Sequence, residues 1–204
     1  MCSSDLPRRR GGWWGVAFVV TLAVSAGMVS LPTSAQSGAQ IAGFYRAHAG
    51  VILVQQVLGV LSVVFFLLFA VALGASRRRW LLVGTVLVVI TELATNVLPV
   101  VLALSNPTPD GAYALTVAED LADAGLFASV AVFSVAATID QVAWVQVTGL
   151  VVAALAVIRA AASPFAITAL DVVAPLAFIA LILILSVRLL IGKPSPRPTA
   201  AAHS

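Results

Sequence analysis

Six long apolar runs, separated by short polar connections, constrain this chain more than any other feature of its sequence. About 20 apolar residues are enough for a helix to cross the hydrocarbon core of a bilayer. Because backbone exposed to lipid must satisfy its own hydrogen bonds, helices are the simplest way to place such runs there. The sequence therefore predicts an all-α, polytopic transmembrane helical bundle. The predicted spans are residues 13–31, 51–74, 80–104, 117–138, 142–157 and 166–191.

The composition agrees with this class and argues against others. Of the 204 residues, 61% are hydrophobic and 9% are charged, whereas a soluble domain is roughly half apolar and about a quarter charged. The apolar excess predicts a lipid bilayer as the main partner. The net charge is only +3, and the cations lie where a membrane protein needs them. We therefore expect no nucleic-acid partner.

The positions of the eleven lysines and arginines predict the orientation. Six spans with a cytoplasmic N-terminus place nine of these cations inside and two, Arg46 and Arg159, outside. The positive-inside rule thus favours an N-in, C-in topology with six spans. Two alternatives stay open: four spans, with 117–138 and 142–157 not crossing separately, and a first run that is a cleaved signal peptide. The nine inner cations are Arg8, Arg9, Arg10, Arg77, Arg78, Arg79, Arg188, Lys193 and Arg197.

Neither end of the chain belongs to the predicted bundle. Residues 1–6, MCSSDL, look like a translated sequencing adapter, and excluding them removes the only cysteine. The proline-rich residues 193–204 predict a disordered cytoplasmic tail. Without cysteine, and with one histidine outside that tail, the chain offers no Cys-ligated or multi-histidine site. We therefore expect no metal and no cofactor.

Glu92 is the clearest polar residue inside an apolar run. Twelve residues after Trp80, it lies about 18 Å along the predicted helix, near the middle of the bilayer. Asn96 follows one helical turn later on the same face. Polar groups at such depth usually face a partner or a cavity. Glu92 is therefore either a proton, cation or ligand site, or a carboxyl hydrogen-bonded between helices.

More polar residues gather toward the outer half of the predicted bundle. They are either an outward-facing polar vestibule that converges on Glu92, or solvated helix ends, where the helix dipole favours acids near an N-terminus. We expect Arg159 to pair with an acid such as Asp171. The predicted ligand-binding set is Gln55, Gln56, Glu92, Asn96, Glu119, Asp123, Arg159, Asp171 and His48.

His48 belongs to a patterned segment of the outer loop between residues 32 and 50. Ile41, Phe44, Tyr45 and His48 recur at helical spacing. They predict a short interfacial helix that starts near Ser37 or Gln40 and turns His48 toward the bundle. His48 is either a general base partnered by Glu119 or Asp123, or a residue that pins the loop.

Four features together resemble a group of actinobacterial six-span integral membrane proteins of unknown function. They are the arginine-flanked first span, AGFYRAH at 42–48, the basic break at 77–79, and LADAGLF at 121–127, which opens a small-residue span. The resemblance covers residues 12–192. It implies a plasma-membrane helical bundle with both termini in the cytoplasm, and it carries over no catalytic residue.

Three functional hypotheses follow. The first, which we favour, is non-enzymatic binding or sensing of a small apolar or lipid-like molecule, or an accessory role, through the outer half of the bundle. The second is a small proton- or ion-coupled transporter that uses Glu92. The third is an outer-leaflet membrane enzyme that uses His48 and an acid. Phosphate-loop, zinc-protease and nucleophile-elbow motifs are absent from the sequence, which favours a protein that is not an enzyme.

Overall fold

The computed structural model describes residues 5–75, 78–162 and 170–191, and these residues form an all-α bundle without strands. The predicted all-α helical bundle is therefore confirmed. Six helices make up the described chain: α1 Asp5–Ala26, α2 Gly38–Ala72, α3 Arg79–Ser105, α4 Pro109–Thr138, α5 Ala143–Ala162 and α6 Leu170–Ile191.

Five of these helices, α2 to α6, are long and apolar enough to cross a membrane. The helix α1 is not among them, because its apolar part follows a start that carries Arg9 and Arg10. The structure therefore supports a membrane protein with five candidate spans. It does so by helix length and composition alone.

Each helix packs against the next along the chain, and α1 also contacts α6, which closes the bundle. The helix α2 packs on α4 across the interior. Four buried phenylalanines from α1, α2, α4 and α6 meet in the centre: Phe18, Phe66, Phe133 and Phe178. The rings of Phe66 and Phe133 are 4.9 Å apart between centroids, and those of Phe18 and Phe66 are 5.4 Å apart. These rings fix the spacing of the helices around the interior.

The helix α2 begins at Gly38, well before the predicted span. Ser37 caps it: the Gln40 backbone N–H donates to Ser37 Oγ at 3.4 Å, and the Ser37 N–H donates to Gln40 Oε1 at 3.0 Å. The predicted interfacial helix is therefore continuous with the second span, and its prediction as a separate element is wrong. Gly50 does not interrupt the helix, since one glycine costs only about 1 kcal/mol there.

The helix α4 also begins early, at Pro109. Thr108 caps it by accepting a hydrogen bond from the Gly111 N–H at 3.3 Å. Glu119 and Asp123 consequently lie in the body of the helix rather than in its first turn. Their interpretation as acids held at a helix end by the dipole is wrong, because that effect fades within the first turn.

A small second cluster of buried side chains lies where α2 and α4 begin and α3 ends. It includes Ile41, Tyr45 and Leu102, and the connection between α1 and α2 covers it through Val29 and Leu31. This cluster holds Tyr45 and the connection next to the interior of the bundle.

Some predictions fall outside the described residues. These are the first four residues of the adapter-like segment, part of the basic break at 76–77, the predicted start of the sixth span at 166, and the tail at 193–204.

Candidate functional site

A cavity of about 350 Å³ lies between α1, α2, α3, α4 and α6. Phe18, Phe66, Phe127 and Phe178 contribute to its apolar wall. Most of the predicted ligand-binding residues, which come from α2, α3 and α4, also line it: Gln55, Gln56, Glu92, Asn96, Glu119 and Asp123. Three helices thus bring their polar residues to one space.

Helical spacing explains the polar contribution of each helix. Glu92 and Asn96 are four residues apart on α3, and Glu119 and Asp123 are four apart on α4, so each pair shares a helix face. On α2, the adjacent pair Gln55 and Gln56 is buried together with Gly59. The sequence determines these faces, and the packing turns them toward each other.

Asn96 is held tightly in this wall. Its Nδ2 donates to the backbone oxygen of Glu92 at 2.7 Å, and Thr95 Oγ1 donates to the same oxygen at 2.8 Å. The Asn96 Nδ2 also lies 3.4 Å from Glu92 Oε1. Since Asn96 is 5% exposed, it forms a fixed part of the wall. The Glu92 carboxyl has only this long side-chain contact within the described chain.

Glu119 and its neighbour Asp120 tie α4 to the elements around it. The Tyr45 hydroxyl donates to Glu119 Oε2 at 3.3 Å, and the Ser34 backbone N–H donates to Asp120 Oδ2 at 3.0 Å. Tyr45 is fully buried. These two bonds attach α2 and the connection between α1 and α2 to α4.

Arg159 joins three helices beside the cavity. Its Nη2 donates to Asp123 Oδ2 at 2.9 Å, and its Nε lies 2.7 Å from Asp171 Oδ1. Its guanidinium also lies over the Phe127 ring, 5.1 Å from the centroid. The expected pairing of Arg159 with Asp171 is present. Of these three residues, Asp123 lines the cavity, whereas Arg159 and Asp171 lie outside its lining.

The two glutamines are buried polar groups with unused hydrogen-bonding capacity. Gln55 Nε2 donates to the Val29 oxygen at 3.1 Å, whereas Gln55 Oε1 has no partner in the described chain. The Gln56 amide makes no side-chain hydrogen bond to the described residues, although Gln56 is only 7% exposed. Buried polar groups are nearly always paired, so the unpaired Gln55 Oε1 beside the cavity calls for an explanation.

His48 lies apart from this site. Its side chain is exposed, stacks on Phe44 at 4.4 Å between centroids, and places Nδ1 3.0 Å from the Phe44 oxygen. It faces away from the interior, contrary to the expected orientation. Within the described part of the chain, no group of three histidine, cysteine or acidic residues is placed to hold a metal ion.

The sequence interpretation missed the aromatic wall and the bond between Tyr45 and Glu119. One signal was present for part of the wall: Gln55, Gly59, Ser62 and Phe66 follow helical spacing on one face of α2. Nothing in the sequence, however, pairs Tyr45 with a residue more than seventy positions away.

No protein-family model, curated protein or solved structure matches this chain.

Proposed function

We propose that the chain crosses the bacterial plasma membrane six times, so that the start of α1 and the end of α6 both lie on the cytoplasmic side. The apolar part of α1 packs between α2 and α6, which are candidate spans. Gly11 lies against Ala72 and Leu189, so α1 begins at the end of the bundle where α2 and α6 finish. The described cations at this end are Arg9, Arg10, Arg78, Arg79 and Arg188, whereas Arg46 and Arg159 lie toward the other. The positive-inside rule makes the first end cytoplasmic.

The function that the geometry supports best is binding of a small, mostly apolar molecule with a polar group. The cavity carries this proposal: it combines an aromatic wall with eight polar side chains inside a membrane bundle. Its volume of about 350 Å³ is near the lower end of the roughly 300–1,000 Å³ typical of ligand sites. The ligand is therefore small. Such a protein senses the molecule or presents it to a partner, without transforming it.

Transport coupled to a proton or an ion is the second candidate, because Glu92 lines the cavity halfway along α3. It predicts a proton- or ion-dependent flux in reconstituted vesicles that Glu92→Gln abolishes. Unchanged flux in that variant would remove it. The enzyme hypothesis lacks such support, since His48 contacts Phe44 rather than an acid.

A matched pair of valine variants tests the binding proposal. Val63 lines the cavity, whereas its neighbour Val64 is 46% exposed on the outer surface of α2. Hexan-1-ol serves as a small amphipathic probe for the protein in nanodiscs of defined synthetic lipid, with empty nanodiscs as the blank.

We expect hexan-1-ol to raise the unfolding midpoint of the wild type and of Val64→Phe, because a ligand that binds only the folded state stabilises it. Val63→Phe fills the cavity and should lose this stabilisation. Equal stabilisation of the two valine variants would contradict binding in the cavity.

A further inference from the structure

The hydrogen-bond donors around the cavity are largely used inside the protein. Ser25 Oγ donates to the backbone oxygen of Gln55 at 3.0 Å, and Gln55 Nε2 donates to the backbone oxygen of Val29. Thr95 Oγ1 and Asn96 Nδ2 both donate to the Glu92 backbone oxygen. A ligand therefore meets few free donors there.

The acceptors show the opposite situation. Among the described residues, Gln55 Oε1 is buried without a partner, and the Glu92 carboxyl has one hydrogen-bond contact, at 3.4 Å to Asn96. Gln56 contributes one more amide oxygen, and also two N–H donors, without a side-chain hydrogen bond to the described residues. Unpaired acceptors in a buried site favour a ligand that donates hydrogen bonds.

The charges around the cavity point the same way. Glu92, Glu119 and Asp123 line it, and no lysine, arginine or histidine among the described residues does so. Arg159 reaches only Asp123, and it shares its charge with Asp171. Tyr45 donates a hydrogen bond to Glu119 but supplies no positive charge. Among the described residues, neither Glu92 nor Glu119 has a cation in contact, and Glu92 also lacks a hydroxyl partner.

Building on the proposed binding function, we propose that this polar region binds the ammonium group of a small alkylamine, whose apolar part lies against the phenylalanines. An ammonium group supplies three donors, no acceptor and the missing positive charge. A bare metal ion fits less well, because the described acids do not form a three-ligand group. The aromatic faces nearby add favourable contacts to a cation.

Three probes with the same alkyl chain separate charge from shape: n-hexylammonium, hexan-1-ol and hexanoate. Affinities are measured from the stabilisation of the wild type in zwitterionic-lipid nanodiscs, with sodium chloride of equal ionic strength as a further arm. We expect hexylammonium to bind at least about tenfold more tightly than hexan-1-ol, because hydrogen bonds between charged groups are the stronger class. Hexanoate and sodium should give no specific stabilisation.

Glu92→Gln should abolish the preference, so that hexylammonium binds no more tightly than hexan-1-ol to the same variant. Asp110→Asn, which removes an exposed acid outside the cavity, is the matched control and should keep the preference. Equal binding of amine and alcohol by the wild type would overturn the inference without using any variant. A preference for the amine that persists in Glu92→Gln would also overturn it. In either case, loss of alcohol binding in Val63→Phe would still support binding in the cavity. Failure of the ammonium inference is therefore distinguishable from failure of the proposed binding function.

Discussion

Gly59 of α2 lies directly against Asn96 of α3, where a Cβ on residue 59 would overlap the Asn96 Oδ1 atom. The absent side chain allows the two helices to approach at the level of the cavity. It also leaves room for the Asn96 amide, whose Nδ2 donates to the Glu92 backbone oxygen. The shape of the cavity wall therefore depends on a glycine.

Gly59→Ala should lower the free energy of unfolding by about 1–3 kcal/mol, the usual cost of forcing extra atoms into a packed interior. Gly43→Ala is the control, since a Cβ there meets nothing within 4 Å. It should be neutral or stabilising by up to about 1 kcal/mol, because alanine is the better helix former. Both are measured by denaturant unfolding in mixed micelles. Equal stabilities of the two variants would contradict the close approach.

Arg159→Gln should lower the free energy of unfolding by about 1–3 kcal/mol, because it leaves Asp123 and Asp171 without their cation. We expect less than for a fully buried ion pair, since these acids are 34% and 45% exposed. Arg46→Gln is the control, because the Arg46 side chain bonds, among the described residues, only the Ala42 backbone oxygen of its own helix.

A double-mutant cycle tests the contact itself. Asp123→Asn should cost less in the Arg159→Gln background than in the wild type, because the partner is already lost. Strictly additive effects would mean that Arg159 and Asp123 do not interact.

The two tyrosines of the chain offer a matched comparison. Tyr45→Phe removes the hydroxyl that bonds Glu119 and should lower the free energy of unfolding by about 1–2 kcal/mol, the cost of an unmade buried hydrogen bond. Tyr113 is 46% exposed, so Tyr113→Phe should stay within about 0.5 kcal/mol of the wild type. An equal effect of both substitutions, measured in the same unfolding assay, would argue against the bond to Glu119.

Labelling of single cysteines tests the orientation. In a Cys2→Ser background, Asp110→Cys should react with a membrane-impermeant maleimide in intact spheroplasts, since Asp110 is exposed at the proposed outer end of α4. Asp140→Cys, at the opposite end of that helix, should react only after permeabilisation. Losing the exposed ion pair of Asp140 with Arg78 costs at most about 1 kcal/mol. The reverse labelling pattern would place the basic end of the bundle outside.

Hydropathy predicted the helices better than it predicted where they begin. Lipid crossing requires a minimum apolar length, and that length is visible in the sequence. The starts of α2 and α4 are determined by the caps at Ser37 and Thr108, which precede less apolar turns. A prediction based on apolar runs therefore missed those turns. It then misplaced Glu119 and Asp123 relative to the helix end.

The candidate site was predictable in the same partial way. Glu92 and Asn96 stand out because polar groups are rare at such depth. Their approach to Gln56 and Glu119 could not be predicted, since it depends on which helix faces pack together. His48 shows the converse case: its spacing suggested an inward face, but its side chain is exposed and stacks on Phe44.

By itself, the sequence determined that this chain forms apolar helices, which side chains share a helix face, and how unevenly its cations are distributed. These properties are local, because they depend on spacing and on the cost of polar groups in lipid. Only the tertiary structure decided that polar faces of α2, α3 and α4 line one cavity, and that Arg159 contacts Asp123 but not Glu92. Those relationships join residues far apart in the chain, and they follow from how closely the helices pack.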